Sequence, residues 1–453
     1  MKIHWPKSIL TIAVYSNCIA AFANGLAINE QSSSSAGTAY AGRSSSVNDA
    51  STIYGNPAGL TRLKRAEVSG GVAVFSAKDD LSNTSGGSPG GTNKGDSIPI
   101  GAIPFGFLST PINDRVSTGI GIYVPFGLIN DYEGSFAGRG LGSYSNVQVV
   151  TVQPTIAYRI SDNVSVGFGP TINHGKGKLE NDLNTGGLPP ALGGTGRDTR
   201  VSIKGDDTAL GYNLGVMVDI NKGTTWGLTY HSRVDLHMVG NTSISNAPNT
   251  PLSIITGTPT PGTLAQALNG EYSAKLDVTL PESIDTSITH KFDDQWTLYA
   301  GLLWTRWSRI KSLNVRNSGL SAPADAMFGE ISETMDWKDT VAASIGASYK
   351  LTDSLVLRSG FAYDPSPAGN DNRSVRAPVG NRKTITFGAG YSPTPDVTFD
   401  VAYAYLWEST ASVNQPGRNI TTDSGLSLPI VPAYKAKYDN SAHGLTAQFT
   451  YRF

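Results

Sequence analysis

The sequence predicts an all-β fold: a fourteen-stranded antiparallel transmembrane β-barrel with an N-terminal hatch, or plug, inside it. Three observations predict it. Apolar and polar residues alternate with period two in long runs along the chain. Short polar turns join those runs in pairs, and longer Gly-, Asn-, Ser- and Pro-rich stretches separate the pairs. Long strands with tight turns at one end and long loops at the other are the arrangement of a barrel crossing a bilayer.

The N-terminus is set aside first. Lys2 and Lys7 give a basic start, Ser8 to Ala20 a mostly apolar run, and Ala21-Phe22-Ala23 small residues at the two positions that a signal peptidase reads. Residues 1–23 are therefore read as a secretory signal peptide, too short to span a membrane. The only cysteine, Cys18, lies inside it, so the mature chain has no disulfide, cysteine nucleophile or thiolate metal ligand. Past this segment no run of 18 or more apolar residues occurs, which excludes helical membrane spans. With 35 basic and 36 acidic residues the charge is balanced, and nothing calls for a nucleic-acid partner. The 51 glycines and the middling hydrophobicity suit a wall that is apolar outside and polar inside.

Residues 67–453 carry the wall. Leu210, Tyr212, Leu214, Val216, Val218 and Ile220 share one face of a strand, and Gly211, Asn213, Gly215 and Asp219 the other. Val397 to Trp407 and Val150 to Ile160 repeat the pattern. The tight turns are Pro111-Ile112-Asn113-Asp114, Ser161-Asp162-Asn163, Asn221-Lys222-Gly223, Asp293-Asp294-Gln295, Thr352-Asp353-Ser354 and Thr394-Pro395-Asp396. Six hairpins and two terminal strands give fourteen, an even number, as a closed barrel with both ends on one side requires. A soluble sandwich or propeller is disfavoured by the strand length and by aromatics at strand ends: Tyr158, Trp226, Phe292, Trp296, Tyr391 and Trp407. Leu445, Ala447, Phe449, Tyr451 and Phe453 alternate to a terminal aromatic, similar to the last strand that the barrel-assembly machinery of the outer membrane recognises.

Residues 24–66 do not alternate and are rich in Ser, Ala and Gly. Scattered anchors such as Leu26, Ile28, Tyr40, Ile53 and Leu60, and a turn-and-helix start at Asn56-Pro57-Ala58, suit a compact insert better than a disordered tail.

Asn29-Glu30 before the serine run, Asp49-Ala50 and Asn56-Pro57-Ala58 resemble the hatch of FadL-type outer-membrane transporters. Pro111-Ile112-Asn113-Asp114, Leu228-Thr229-Tyr230, Leu280-Pro281-Glu282, Trp307-Ser308, Lys338-Asp339 and Asn372-Arg373-Ser374 extend the resemblance over the mature chain. It implies passive transport of long-chain fatty acids, with toluene, xylene and similar neutral hydrocarbons as the alternative. Substrate would lodge in an apolar groove among the outer loops, pass to a pocket beside the hatch, and leave sideways through a gap at a distorted third strand. The resemblance also implies a monomer, working without a cofactor.

The candidate residues follow. A third strand runs from Arg115 through Gly121 and Tyr123 to Val124-Pro125-Phe126-Gly127, and because a proline cannot donate to a ladder its pairing should bend or break near Pro125. Gly121, Tyr123 and Pro125 are the expected lateral exit. Leu188 and Leu192 in one long loop, and Ile254, Ile255, Leu264 and Leu268 in another, are the expected groove. Leu26 matches an apolar residue that the family tucks into the pocket. A carboxylate ligand wants a cation at the end of an apolar pocket, and Lys338 is the first choice. Asn181 stands where the fatty-acid pattern has an arginine, which leans towards a neutral ligand. The six scattered histidines form no metal or catalytic motif, so no enzyme is expected. A polar-solute porin is the remaining rival, separable by ion conductance.

Overall fold

The computed structural model describes residues 25–421 and 427–453; the predicted signal segment lies outside them. Fourteen wall strands follow in chain order. They are β1 (Glu67–Gly86), β2 (Gly101–Pro111), β3 (Val116–Asp131), β4 (Tyr144–Arg159), β5 (Val164–Leu183) and β6 (Thr199–Asn221). Next are β7 (Thr224–His231, continued by Val234–Ser245), β8 (Gly270–Leu280, continued by Ser283–Lys291), β9 (Trp296–Thr305, continued by Ser312–Ser318) and β10 (Glu330–Thr334, continued by Thr340–Lys350). Then come β11 (Leu355–Asp364), β12 (Arg382–Thr394), β13 (Val397–Glu408, continued by Ala411–Gln415) and β14 (Tyr434–Arg452). Neighbours pair antiparallel, and β14 closes the ring on β1 from Glu67↔Arg452 to Gly86↔Tyr434. No helix among the described residues is long and apolar enough to cross a membrane.

The six predicted tight turns are the six short connections, and side chains close several of them. The Asn113 side-chain oxygen accepts from the backbone N–H of Arg115 and Val116 (both 2.9 Å), and Asp293 accepts from Gln295 and Trp296 (2.8 and 2.6 Å). Such side-chain-closed turns fix the hairpin register locally. The alternation sets the wall: Leu210, Phe168, Ile156, Phe399 and Leu445 are exposed on the outside, while Asn213, Thr171, Gln153, Asp400 and Gln448 are buried inside.

Residues 25–63 lie against those inward faces. Short helices at Ser33–Ala36, Thr52–Gly55 and Pro57–Arg62 interrupt an otherwise irregular path. Asn56 holds the last of them: its side-chain oxygen accepts from Ala58 N–H (3.0 Å) and its amide donates to Ser44 O (2.6 Å) and, on β6, to Val216 O (2.9 Å). The wall makes room with glycine. A Cβ on Gly227 would stand 1.8 Å from Ser44 O, one on Gly360 2.2 Å from Thr38 C, and one on Gly167 2.3 Å from Pro57 C. The same addition at Gly106 meets nothing within 4 Å. Gly227→Ala is therefore expected to cost about 1–3 kcal/mol, because backbone rather than a flexible tip occupies the space. Gly106→Ala should stay within about 0.5 kcal/mol of the parent. Urea midpoints in detergent, followed by heat-modifiable gel migration, read the difference.

Candidate functional site

The ladder between β2 and β3 runs from Pro111↔Ser117 only to Gly106↔Ile122. Beyond it, β2 pairs β1 alone, and β3 pairs β4 through a register shift between Tyr123 and Phe126. Pro125 sits in that shift, and its missing N–H explains why the ladder cannot continue regularly. The open edge of β3 is met from inside. Ile28 N–H donates to Pro125 O (2.8 Å), and Gly127 N–H donates to Leu26 O (2.8 Å). The Gln31 amide adds a 2.6 Å bond to Val124 O. Below the shift, Gly121 faces Phe107 and Ile53, and Tyr123 donates to Gln153 (2.5 Å) while its ring lies 5.0 Å from that of Tyr54.

Directly behind this edge lies an apolar cavity of about 1030 Å³. Leu26 lines it on the side of the N-terminal segment, with Val149, Leu236, Met238, Ile310 and Met335 among the other walls. Trp307 and Trp337 cross edge-to-face behind it, 5.3 Å apart. Lys176, Lys204 and Lys275 border it by backbone, since their side chains stand at exposed, outward strand positions.

The cation that turns inward is Arg376. Its guanidinium donates to Tyr144 O (2.9 Å), Ser145 Oγ (2.7 Å), Glu180 O (3.1 Å) and Asn181 Oδ1 (2.7 Å). Its Nε lies 3.4 Å from Glu333 Oε2 and has no hydrogen-bond partner. Ser374 donates to the other Glu333 oxygen. Leu26 bonds at Gly127, opposite Gln148, and Arg376 at Ser145, so the cation stands three strand residues, roughly 10 Å, nearer the loop end. Neither Arg376 nor Glu333 was picked out by sequence reasoning; the available signal was Arg373 and Arg376 close together in one connection.

The other expected residues fall as follows. Lys338 is exposed and does not line the cavity, whereas its neighbour Trp337 does. Leu188, Ile255, Leu264 and Leu268 line a second cavity of about 780 Å³ among the outer loops. Leu192 and Ile254 are half-buried and outside its lining, and Leu192 O accepts from Thr250 (2.5 Å) where the two loops meet. Asn29 accepts from Arg43 (2.8 Å). Glu30 is enclosed, its Oε2 lacks a partner, and burial pushes its carboxyl up against the pull of Arg382 and Arg43. No group of His, Cys, Asp or Glu among the described residues could hold a metal.

The chain matches the model of the family "Outer membrane protein transport protein (OMPP1/FadL/TodX)" over residues 14–453. It belongs to that family, and its place is the outer membrane. The long-chain fatty acid transport protein of Salmonella typhi is 28% identical over 431 residues, covering 91% of this chain and 94% of the relative. Outer membrane protein P1 of Haemophilus influenzae is 24% identical over 485 residues, covering 98% and 99%. In fold, the chain is similar to a Pseudomonas aeruginosa FadL homologue (TM-score 0.80, 23% identity, 95% and 100% covered). The Ralstonia pickettii toluene transporter TbuX gives 0.65 at 19% identity, with 92% and 97% covered. In this FadL-type barrel, buried charges meet where the N-terminal segment lies on the wall. Arg43 meets Asp285 of β8 through Nε (3.0 Å) and Nη2 (2.6 Å), and Ser44 donates to the same carboxylate.

Arg43→Ala strips a buried carboxylate of its partner and is expected to destabilise by about 3–5 kcal/mol, read as a lowered urea midpoint. Glu30→Gln should act oppositely. Because the folded carboxyl titrates above its ordinary value, stability falls as pH rises from that value through the raised one. The substitution should flatten this slope and raise stability at neutral pH, as urea midpoints across pH will show.

Proposed function

We propose that this FadL-type protein carries long-chain fatty acids inward by binding and diffusion. The single observation behind this reading is the apolar cavity whose lining includes both Arg376 and Leu26. A hydrocarbon chain suits the aliphatic walls, and a guanidinium with an unused N–H suits a carboxylate. The loop cavity lined by Leu188, Ile255, Leu264 and Leu268 is the first station. The cavity behind β3 is the second, and residues 24–66 are the hatch of a barrel comprising 67–453. The exit is the unpaired edge of β3 at Gly121, Tyr123 and Pro125, opened when Leu26 to Ile28 let go of it. Release there delivers the ligand sideways without a passage through water. Substitution of Asn181 for the family's arginine does not remove the cation in this reading, since Asn181 accepts from Arg376, which occupies the same neighbourhood.

Neutral hydrocarbons are the second reading, favoured by Glu333, which already balances part of the Arg376 charge. Two substitutions separate the readings. Arg376→Gln is expected to weaken fatty-acid binding about tenfold or more, the loss of a charge-assisted contact, while toluene uptake holds. Glu333→Gln removes the competing carboxylate and should tighten fatty-acid binding. Lys338→Ala should leave both unchanged. Equal effects of Arg376→Gln on oleate and toluene would assign the arginine to the wall alone. At the exit, Pro125→Val restores a donor and should lower uptake at unchanged surface expression.

A further inference from the structure

The outside of the wall carries a second organised feature. On β13 the outward residues run from Val397 to Trp407, ten residue steps or about 33 Å of strand. At a tilt near 40° that is about 25 Å of height, the thickness of the apolar band. Trp407 thus stands at the band's upper edge, at the end away from the Thr394-Pro395-Asp396 turn.

The register builds a row at this level. Tyr363 on β11 faces Lys383 on β12, which faces Trp407 on β13. Trp407 faces Ser441 on β14, which faces Lys78 on β1. Their chain neighbours Arg382, Leu406, Ala442 and Asp79 are buried, so the row itself points out. Just below, Tyr405 stacks on Trp407 (5.6 Å, 20°), its ring lies 5.1 Å from His443, and Tyr403 OH lies 2.7 Å from His443 Nδ1. Four residues above Ser441 stands Lys437, and beyond it Lys435, both exposed.

The charges of this belt are lightly used. Lys78 meets Asp80 at 2.9 Å on the open surface, and Asp439 accepts from Thr410 (2.6 Å). Among the described residues Lys383, Lys435 and Lys437 have no ion-pair partner. Unpaired lysines at the edge of a hydrocarbon layer meet lipid headgroups, where anionic groups attract them. The turn end of the same face is different: its outward residues Tyr391, Phe399 and Tyr451 carry no charge.

We propose that this belt binds a phosphate-bearing glycolipid headgroup of the outer leaflet. Its sugar lies on the Tyr405–Trp407 shelf, and its phosphates meet Lys383 and Lys78, three strand intervals or about 14 Å apart, with Lys437 above. Its acyl chains run down past the exposed Phe387, Val401 and Leu445. The site sits over the β14–β1 seam, so the lipid covers the junction that closes the barrel.

Native mass spectrometry of the purified full chain in detergent tests this, with diphosphorylated hexa-acyl lipid A as probe. Lys78→Ser, Lys383→Ser and Lys437→Ser combined should weaken its retention about tenfold or more. Lys222→Ser with Lys291→Ser, at the turn end, should not. The same lipid stripped of phosphate should bind the parent protein as weakly as the intact lipid binds the triple variant. Retention by the parent protein should fall steeply with added salt, a readout independent of any variant's folding. Retention by a heat-modifiable triple variant equal to that of the turn-end control overturns the proposal. So does displacement by equimolar inorganic phosphate, which would mark a free-anion site.

Discussion

A bilayer offers no water to an unpaired backbone group, and each one left facing hydrocarbon costs several kcal/mol. Every major element of this molecule answers that constraint. The fourteen strands satisfy one another around a closed ring. The place where they stop doing so, β3 beyond Ile122, is met by the backbone of Leu26 and Ile28 from within. Higher up, Asp131 N–H finds Ser97 O (2.6 Å), from the connection between β1 and β2. On its β3 side the interruption in the wall is therefore not a hole in the hydrogen bonding. It is a stretch where the partner belongs to a segment that is not itself a wall strand, and such a partner can leave without unravelling a hairpin.

The fit between that segment and the wall is made by subtraction as much as by contact. Inward glycines on β5, β7 and β11 let backbone lie on backbone, at separations that a single methyl group would forbid. Specific adhesion is then added at a few points: the Arg43–Asp285 pair, the Asn56 amide on β6, and hydroxyl bonds such as Thr61 to Ser165 (2.7 Å). A buried ion pair adds little net stability beside an apolar pair of similar shape, but it penalises any other placement heavily. The arrangement favours one seating over many, and adds direction to the apolar packing of Ile28, Ile53 and Leu60 on the wall.

Much of the fold was legible in the sequence because its determinants are local. Alternation marks a strand, and Asn113 or Asp293 marks its turn, within a few residues. Pro125 announced the shift in β3 for the same reason. The cavity was harder to read, because phase is lost wherever a strand is interrupted. Glu333, Met335 and Trp337 face inward, yet after the break before Thr340 the inward set is Thr340, Ala342 and Ser344. One residue of slip moves a side chain to the other face, which is why Trp337 lines the cavity and Lys338 does not. Arg376 was less legible still. It comes from a connection without periodicity, and only tertiary packing brings it to Ser145 and Asn181.

The closing pair β1–β14 joins residues from opposite ends of the wall, with Glu67 beside Arg452. Bringing such distant partners together adds little thermodynamic cost, since each doubling of a loop costs only about 0.6 kcal/mol, but it delays the event. Residues 25–63 precede β1 in the chain and end up enclosed by the ring. Their seating and the closure of the ring at Glu67↔Arg452 are thus two parts of one packing problem, since the segment runs directly into β1 at the seam. The glycine-lined track on β5 to β12 then dictates the course of a chain that carries no periodicity of its own: the wall, by where it lacks side chains, writes the path of the segment it surrounds.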